Sequence, residues 1–378
     1  MTLSSRRKFL CQTSLGAALC GCYARELAAA TQGFHNPAHY IDPDLHRRIE
    51  LMPKVEIHVH LEGTMTPETV WNLAQKNHMQ LPAASLESWR RYYAFRDFSH
   101  FIDVYVAASS AIAKPEDFTH IVIQFAAQQH AQNVLYSEVF LSASLHLGRF
   151  RDEAIIESLE EGIQVASCKY NVKLLFIPDI ARERPNTQQQ VLDFTLKGRD
   201  KGIFIGLSLA GQEVGYPPDL FRSTFAEAKR KGLHVVAHAG EVAGADSIWA
   251  ALDCLHAERI GHGIRCLEDP LLVARLKVLR IPLEVCPVSN YRTGAISSSK
   301  AHPIRALVER GLRCTVNSDD PPMFETDLTN EYYTLAEQGF SWRELWALNR
   351  ATLDATFLPE SERKELAKHW KAFETAHA

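Results

Sequence analysis

The sequence predicts an α/β fold, a parallel (β/α)8 TIM barrel with a helical insertion after the first strand. Three observations point there. Eight short apolar or β-branched runs recur along the chain, and most gaps between them can carry a helix. Histidines and acids cluster at the carboxyl ends of those runs, where barrel enzymes build their sites. The first and the eighth runs both end in such residues, and first and last strands are neighbours only if the sheet closes.

The runs are Val55–His60, Val134–Phe140, Val172–Pro178, Ile203–Leu209, Leu233–His238, Arg259–His262, Ile281–Cys286 and Leu312–Asn317. Leu220–Lys231, Asp246–Ala257 and Asp269–Leu279 read as connecting helices. The stretch Thr66–Asn133 is long for one crossover and is expected to hold helices over one mouth of the barrel. Arg363–His377 reads as a closing helix. No repeat, low-complexity tract or linker divides the chain. Barrels of roughly 250 residues and more are single domains, so residues 48–378 are expected to form one, preceded by an N-terminal extension over residues 31–47.

Of 378 residues, 46% are hydrophobic and 23% charged, the mix of a globular protein. No run of about 18 apolar residues suggests an integral membrane span. The formal net charge of -4 offers no basic field for nucleic acid.

Residues 1–30 read as a signal peptide. Arg6-Arg7-Lys8-Phe9-Leu10 precedes a weakly apolar stretch and the small residues Ala28-Ala29-Ala30, and the paired arginines suggest the twin-arginine type. The expected location is therefore periplasmic or exported. Leu19-Cys20-Gly21-Cys22 also resembles a lipoprotein cleavage box, the alternative of a lipid anchor. Five of the eight cysteines lie beyond residue 30: Cys168, Cys254, Cys266, Cys286 and Cys314. Their odd number and the lack of CxxC argue against a disulfide framework and a cysteine zinc site; they read as small buried hydrophobes.

His58-Val59-His60 lies on the first run, where residues two apart face the same way. His238-Ala239-Gly240-Glu241 adds an imidazole and an acid at the end of the fifth run. Ser318-Asp319-Asp320-Pro321-Pro322 adds two acids after the eighth. Three His and one Asp suit zinc with an open position. Each piece has a plainer reading: histidines in a polar strand end, a surface acid after a turn, an aspartate capping a helix. Their joint placement favours the metal. His234, four residues before His238, reads as structural because Val235 stands where a metalloprotease helix needs Glu.

Six motifs, in order, resemble the adenosine deaminase family: Pro53–Gly63 (PKVEIHVHLEG), Leu209–Glu213, His238–Glu241, Ile260–Gly263, Glu284–Pro287 and Asn317–Pro321. The resemblance implies the (β/α)8 barrel, hydrolytic deamination of a purine, and one zinc ion per chain. It implies that His58, His60, His238 and Asp319 hold the metal and that Glu241 protonates ring N1. By the same resemblance His262 orients and helps activate the attacking water, Asp320 hydrogen-bonds N7, and Gly211 approaches N3 through its N–H. Gly206–Leu209 offers no lysine to bridge two metals, which favours one.

Glu62 is a further candidate substrate-binding residue: it stands where adenosine-specific members carry Asp, against the ribose, and its longer side chain is expected either to reach a ribose hydroxyl or to occupy its space. Glu there resembles branches acting on adenine or on modified adenine nucleosides such as aminofutalosine and methylthioadenosine. Adenosine, as the family's commonest substrate, is the first expectation, with deoxyadenosine beside it. A non-catalytic purine-binding protein and a metal-dependent hydrolase of another substrate are the competing classes.

Overall fold

The computed structural model describes residues 41–377. The expected signal peptide, cleavage box and most of the extension lie outside them. Eight parallel strands follow in chain order: β1 Lys54–His60, β2 Val134–Leu141, β3 Lys173–Ala181, β4 Gly206–Ala210, β5 His234–Ala239, β6 Arg259–His262, β7 Pro282–Val285 and β8 Arg313–Val316. The ring closes just beyond β8. The N–H of His60 donates to the carbonyl of Asp319 at 2.9 Å, and the Asp319 N–H donates to that of His58 at 3.1 Å. The chain is a (β/α)8 barrel, as its sequence implies.

Alternation sorts the strand residues. On β5, Val235, Ala237 and Ala239 join the large core under the outer helices, whereas Val236 joins Phe140 and Ile177 in a separate small cluster. Polar residues fill much of the rest of the interior. The Arg259 guanidinium donates to Glu138 at 2.6 Å, pairs with Glu284 at 2.6 Å and lies over the Phe357 ring at 3.7 Å. Removing one partner of such a buried pair typically costs about 3–5 kcal/mol.

The insertion is helical: Pro67–Lys76, Leu86–Tyr93, Phe98–Ser110 and Glu116–Ala131. Helix Trp342–Ala355 covers the β1/β8 seam, and Asn349 donates to the carbonyl of Pro53 at 3.0 Å. Helix Glu360–Ala376 lies where a closing helix was expected. Helix Pro43–Leu51, capped by Asp42, buries Ile49 and runs across the expected boundary at residue 48. One expectation needs correction. Cys168 is disulfide-bonded, although Cys254, Cys266, Cys286 and Cys314 are free and buried. The fourth run pairs with β3 ahead of the regular strand: the Phe176 N–H donates to the Ile203 carbonyl at 2.9 Å and the Ile205 N–H donates to that of Phe176 at 3.0 Å, and β4 proper begins at Gly206. Among the described residues no helix is long and apolar enough to cross a membrane.

Candidate active site

The carboxyl ends of the strands bring the predicted polar residues together. Donor atoms of His58, His238, His262 and Asp319 lie within 4.8 Å of one another, as do those of His60, Asp319 and Asp320. Asp319 is common to both groups. Phe140 forms the floor, its ring centroid 4.8 Å from that of His58 and 5.0 Å from that of His60.

Backbone conformation aims these side chains. His262 and Asp319 adopt positive φ, 58° and 66°, a region disfavoured for residues with a Cβ and typical of functional strain. Gly261 lets the rings crowd in, since a Cβ there would meet His58 Cε1 at 2.9 Å. The loop carrying Asp319 is tied to β1: Ser318 donates to Glu56 through its N–H (2.9 Å) and hydroxyl (2.6 Å).

The donor set fits a dication. His58 Nδ1 donates to Glu284 at 2.8 Å and His238 Nδ1 to the carbonyl of Leu209 at 3.2 Å, so both rings turn a bare Nε2 inward. His58 Nε2 is buried without a hydrogen-bond partner. Tetrahedral zinc with bonds of about 2.0–2.1 Å needs ligand atoms about 3.3 Å apart. His60 Nε2 lies 3.1 Å from His238 Nε2 and 3.3 Å from Asp319 Oδ1, and His58 Nε2 lies 3.5 Å from that oxygen. Electrostatics agree. Burial opposes a charge on His58, yet Asp319 and Glu284 outweigh it and lift the imidazole to about 9. Burial and the neighbouring rings push His60 down to about 4 and His238 well down. The pocket thus draws positive charge to one point while keeping two of its imidazoles neutral.

Around that point stand the other groups. Glu241 Oε2 lies 3.6 Å from His262 Nε2, and burial, then Asp319 and Glu213, raise the Glu241 carboxyl to about 8. Its loop is held by Glu213, which accepts the N–H groups of Gly240, Val242 and Ala243 at 2.5, 2.9 and 2.8 Å. Asp320 is buried, with Oδ1 unpartnered, and burial beside Asp319 raises its carboxyl well above the usual range. A Cβ at Gly63 would lie 1.7 Å from that oxygen. Gly63→Ala must therefore displace Asp320, and kcat/KM is expected to fall about 100-fold with metal content unchanged, as an ångström-scale misplacement typically costs. Steady-state kinetics beside elemental analysis checks this.

Gly211 lines the same cavity, with φ 88°. Glu62 does not. It is fully buried, and its carboxylate accepts from the Ser142 N–H (3.1 Å), His146 Nε2 (2.8 Å) and the Tyr105 hydroxyl (3.3 Å). The cavity measures about 110 Å³ and is walled by Phe98, Phe101, Ile102, Leu145 and Phe324 above the polar cluster. A larger groove of about 1030 Å³ lies beyond the Ser318–Pro322 loop and contains none of the clustered imidazoles.

His234 stays apart, bonded to Glu258 at 2.8 Å and stacked on Phe357. Glu138 lies beneath the site, anchored by Arg259. Sequence reading missed Glu284 as the partner of His58, Ser289 as a donor to Asp319 at 2.7 Å, and Asn290 beside His262. An acid inside the buried run Ile281–Cys286 was a visible signal for the first. Nothing local marks the other two.

Comparison with known proteins agrees with this geometry. The adenosine deaminase family model matches residues 53–372. An adenine deaminase of Geotalea uraniireducens is 38% identical over 325 residues, 84% of this chain and 90% of that protein. An aminodeoxyfutalosine deaminase of Streptomyces coelicolor is 37% identical over 340 residues, 87% of each. The crystal structure of an adenine deaminase from Arthrobacter aurescens superposes with a TM-score of 0.81 at 31% identity, covering 86% of this chain and 99% of that one. With its barrel, its imidazole–carboxylate cluster and these relatives, the chain belongs to the adenosine deaminase family and is a hydrolase of C–N bonds.

Proposed function

We propose that the chain is a zinc-dependent deaminase of a 6-aminopurine, with adenine as its substrate. The observation that carries the choice is Glu62. Its two oxygens already serve three donors, and it does not reach the cavity. Tied to the Ser142 N–H and His146 and set behind the cavity lining, it is poorly placed to meet a ribose. The small cavity supports the same reading, since sites for drug-sized ligands usually run about 300–1,000 Å³. Adenosine, the first expectation, is the weaker choice, and the relatives named adenine deaminase favour its replacement. A modified adenine nucleoside stays in view because one similar protein is an aminodeoxyfutalosine deaminase.

His58, His60, His238 and Asp319 would hold the ion, which when bound lowers the pKa of water from 15.7 to about 7. Water adds at C6 as one of its O–H bonds breaks, and the ring electrons move onto N1. The amino group takes up the proton released by water and leaves as ammonia, while the C6 hydroxyl collapses to the carbonyl and returns a proton to Glu241. Glu241, carrying a proton, gives it to N1 so that no full negative charge builds on the ring. Asp320, also protonated, donates to N7, and the Gly211 N–H meets N3. The apolar wall covers the ring faces and excludes bulk water.

A panel of adenine, adenosine, deoxyadenosine, methylthioadenosine and aminodeoxyfutalosine tests this. Adenine is expected to show kcat/KM at least about tenfold above the others, about 1.4 kcal/mol of transition-state preference. A lead by any nucleoside sinks the adenine assignment; no turnover of any sinks the deaminase. Export is part of the same proposal, and N-terminal sequencing of the periplasmic protein tests it, with Thr31 the expected first residue.

A further inference from the structure

Two buried side chains, Asn290 and His302, run away from the pocket behind His262. The backbone N–H of Ile304 meets His302 Nδ1 at 3.1 Å. His302 Nε2 meets Asn290 Oδ1 at 3.1 Å, and Asn290 Nδ2 meets His262 Nδ1 at 3.1 Å. Exposures are 3% for His302, 0% for Asn290 and 1% for His262, so water does not compete along the chain.

Hydrogen positions on imidazoles and amides are ordinarily assigned by choice. Here one end is fixed. A backbone N–H can only donate, so His302 Nδ1 carries a lone pair and the ring proton sits on Nε2. That N–H needs an acceptor, which turns the oxygen of Asn290 toward His302. The amide NH2 then faces His262 and donates to its Nδ1. His262 Nδ1 must be bare, and its proton sits on Nε2, toward Glu241 Oε2 at 3.6 Å and Asp319 Oδ2 at 3.9 Å.

We infer that Asn290 and His302 are positioning residues that commit His262 to a single tautomer, so that it presents a hydrogen-bond donor to the pocket and not a base. The neutral ring has its one lone pair spent on Asn290. At the face toward substrate it can hold and stabilise an oxygen that gains negative charge, but it cannot take a proton there. The catalytic consequence rests on the deaminase reading; the tautomer does not.

The experiment separates the two. Protein labelled with 15N in histidine is loaded with zinc, and imidazole nitrogens are correlated with ring protons by NMR; the His262 signals are those lost in His262→Asn. Wild type is expected to show a protonated Nε2 and a bare Nδ1. In Asn290→Asp the carboxylate can only accept, so the His262 proton is expected to move to Nδ1, with kcat down about 100-fold and KM within about threefold. A bare Nε2 in the wild type overturns the inference. So does Asn290→Asp with an unmoved proton or with kcat within about threefold of wild type. If that variant does not fold, the wild-type spectrum alone decides. An inactive substrate panel would remove the catalytic consequence and leave the spectrum to judge the tautomer.

Discussion

Glu241→Gln is expected to lower kcat by about 10²–10⁴-fold, the usual contribution of a positioned acid, while zinc content stays near one per chain. Gln keeps the shape and the hydrogen-bond capacity but holds no transferable proton. Elemental analysis beside steady-state kinetics with adenine separates loss of proton delivery from loss of metal. A rate near wild type would falsify the role of Glu241. The same residue sets the sign of the pH dependence. Burial, then Asp319 and Glu213, raise its carboxyl to about 8, so the proton is present below that pH and lost above it. A bound dication pulls the group back down. The alkaline limb of kcat is therefore expected at or below about pH 8, and it should be absent from the residual rate of Glu241→Gln.

Asp319→Ala is expected to abolish zinc retention through gel filtration and to leave activity undetectable. Removing a group that merely orients a ligand typically costs 10–100-fold in metal affinity, and Asp319 is itself a ligand in the proposed set. The variant would also leave His58, His60 and His238 facing one another without the carboxylate that balances them. Ser289→Ala, which removes one hydrogen bond to Asp319 Oδ2, should cost far less. Zinc titration of both variants orders them; equal affinities would break the assignment of Asp319 to the ion.

The barrel was legible because its signals are local. A parallel strand buried on both faces writes itself as a short apolar run, and the structure places a strand at each of the eight runs, with edges shifted by a few residues. The clustered site residues were legible because barrel geometry sends strand ends to one mouth. What stayed hidden depends on distant partners. His58 meets Glu284 across 226 positions and Glu62 meets His146 across 84. No spacing rule announces either contact. Glu62 shows the difference well. Its departure from the adenosine-type pattern could be read in the sequence, but that His146, Ser142 and Tyr105 hold its carboxylate could not. Likewise the sequence places His262 at the mouth, yet the proton it carries is decided by Asn290 and His302.

One junction of the fold has a further meaning. The peptide of Asp319 laces the eighth stave to the first, while its side chain belongs to the proposed ion cradle. Opening the cylinder there would scatter the ligands, and gripping the ion would hold the cylinder shut. Under the proposed zinc assignment metal supply would also be a conformational safeguard: the loaded chain would gain RT ln(1 + [L]/Kd) over the empty one, about 4 kcal/mol when free zinc exceeds its dissociation constant by a thousandfold. Starvation for zinc should reveal itself as proteolysis starting at that junction.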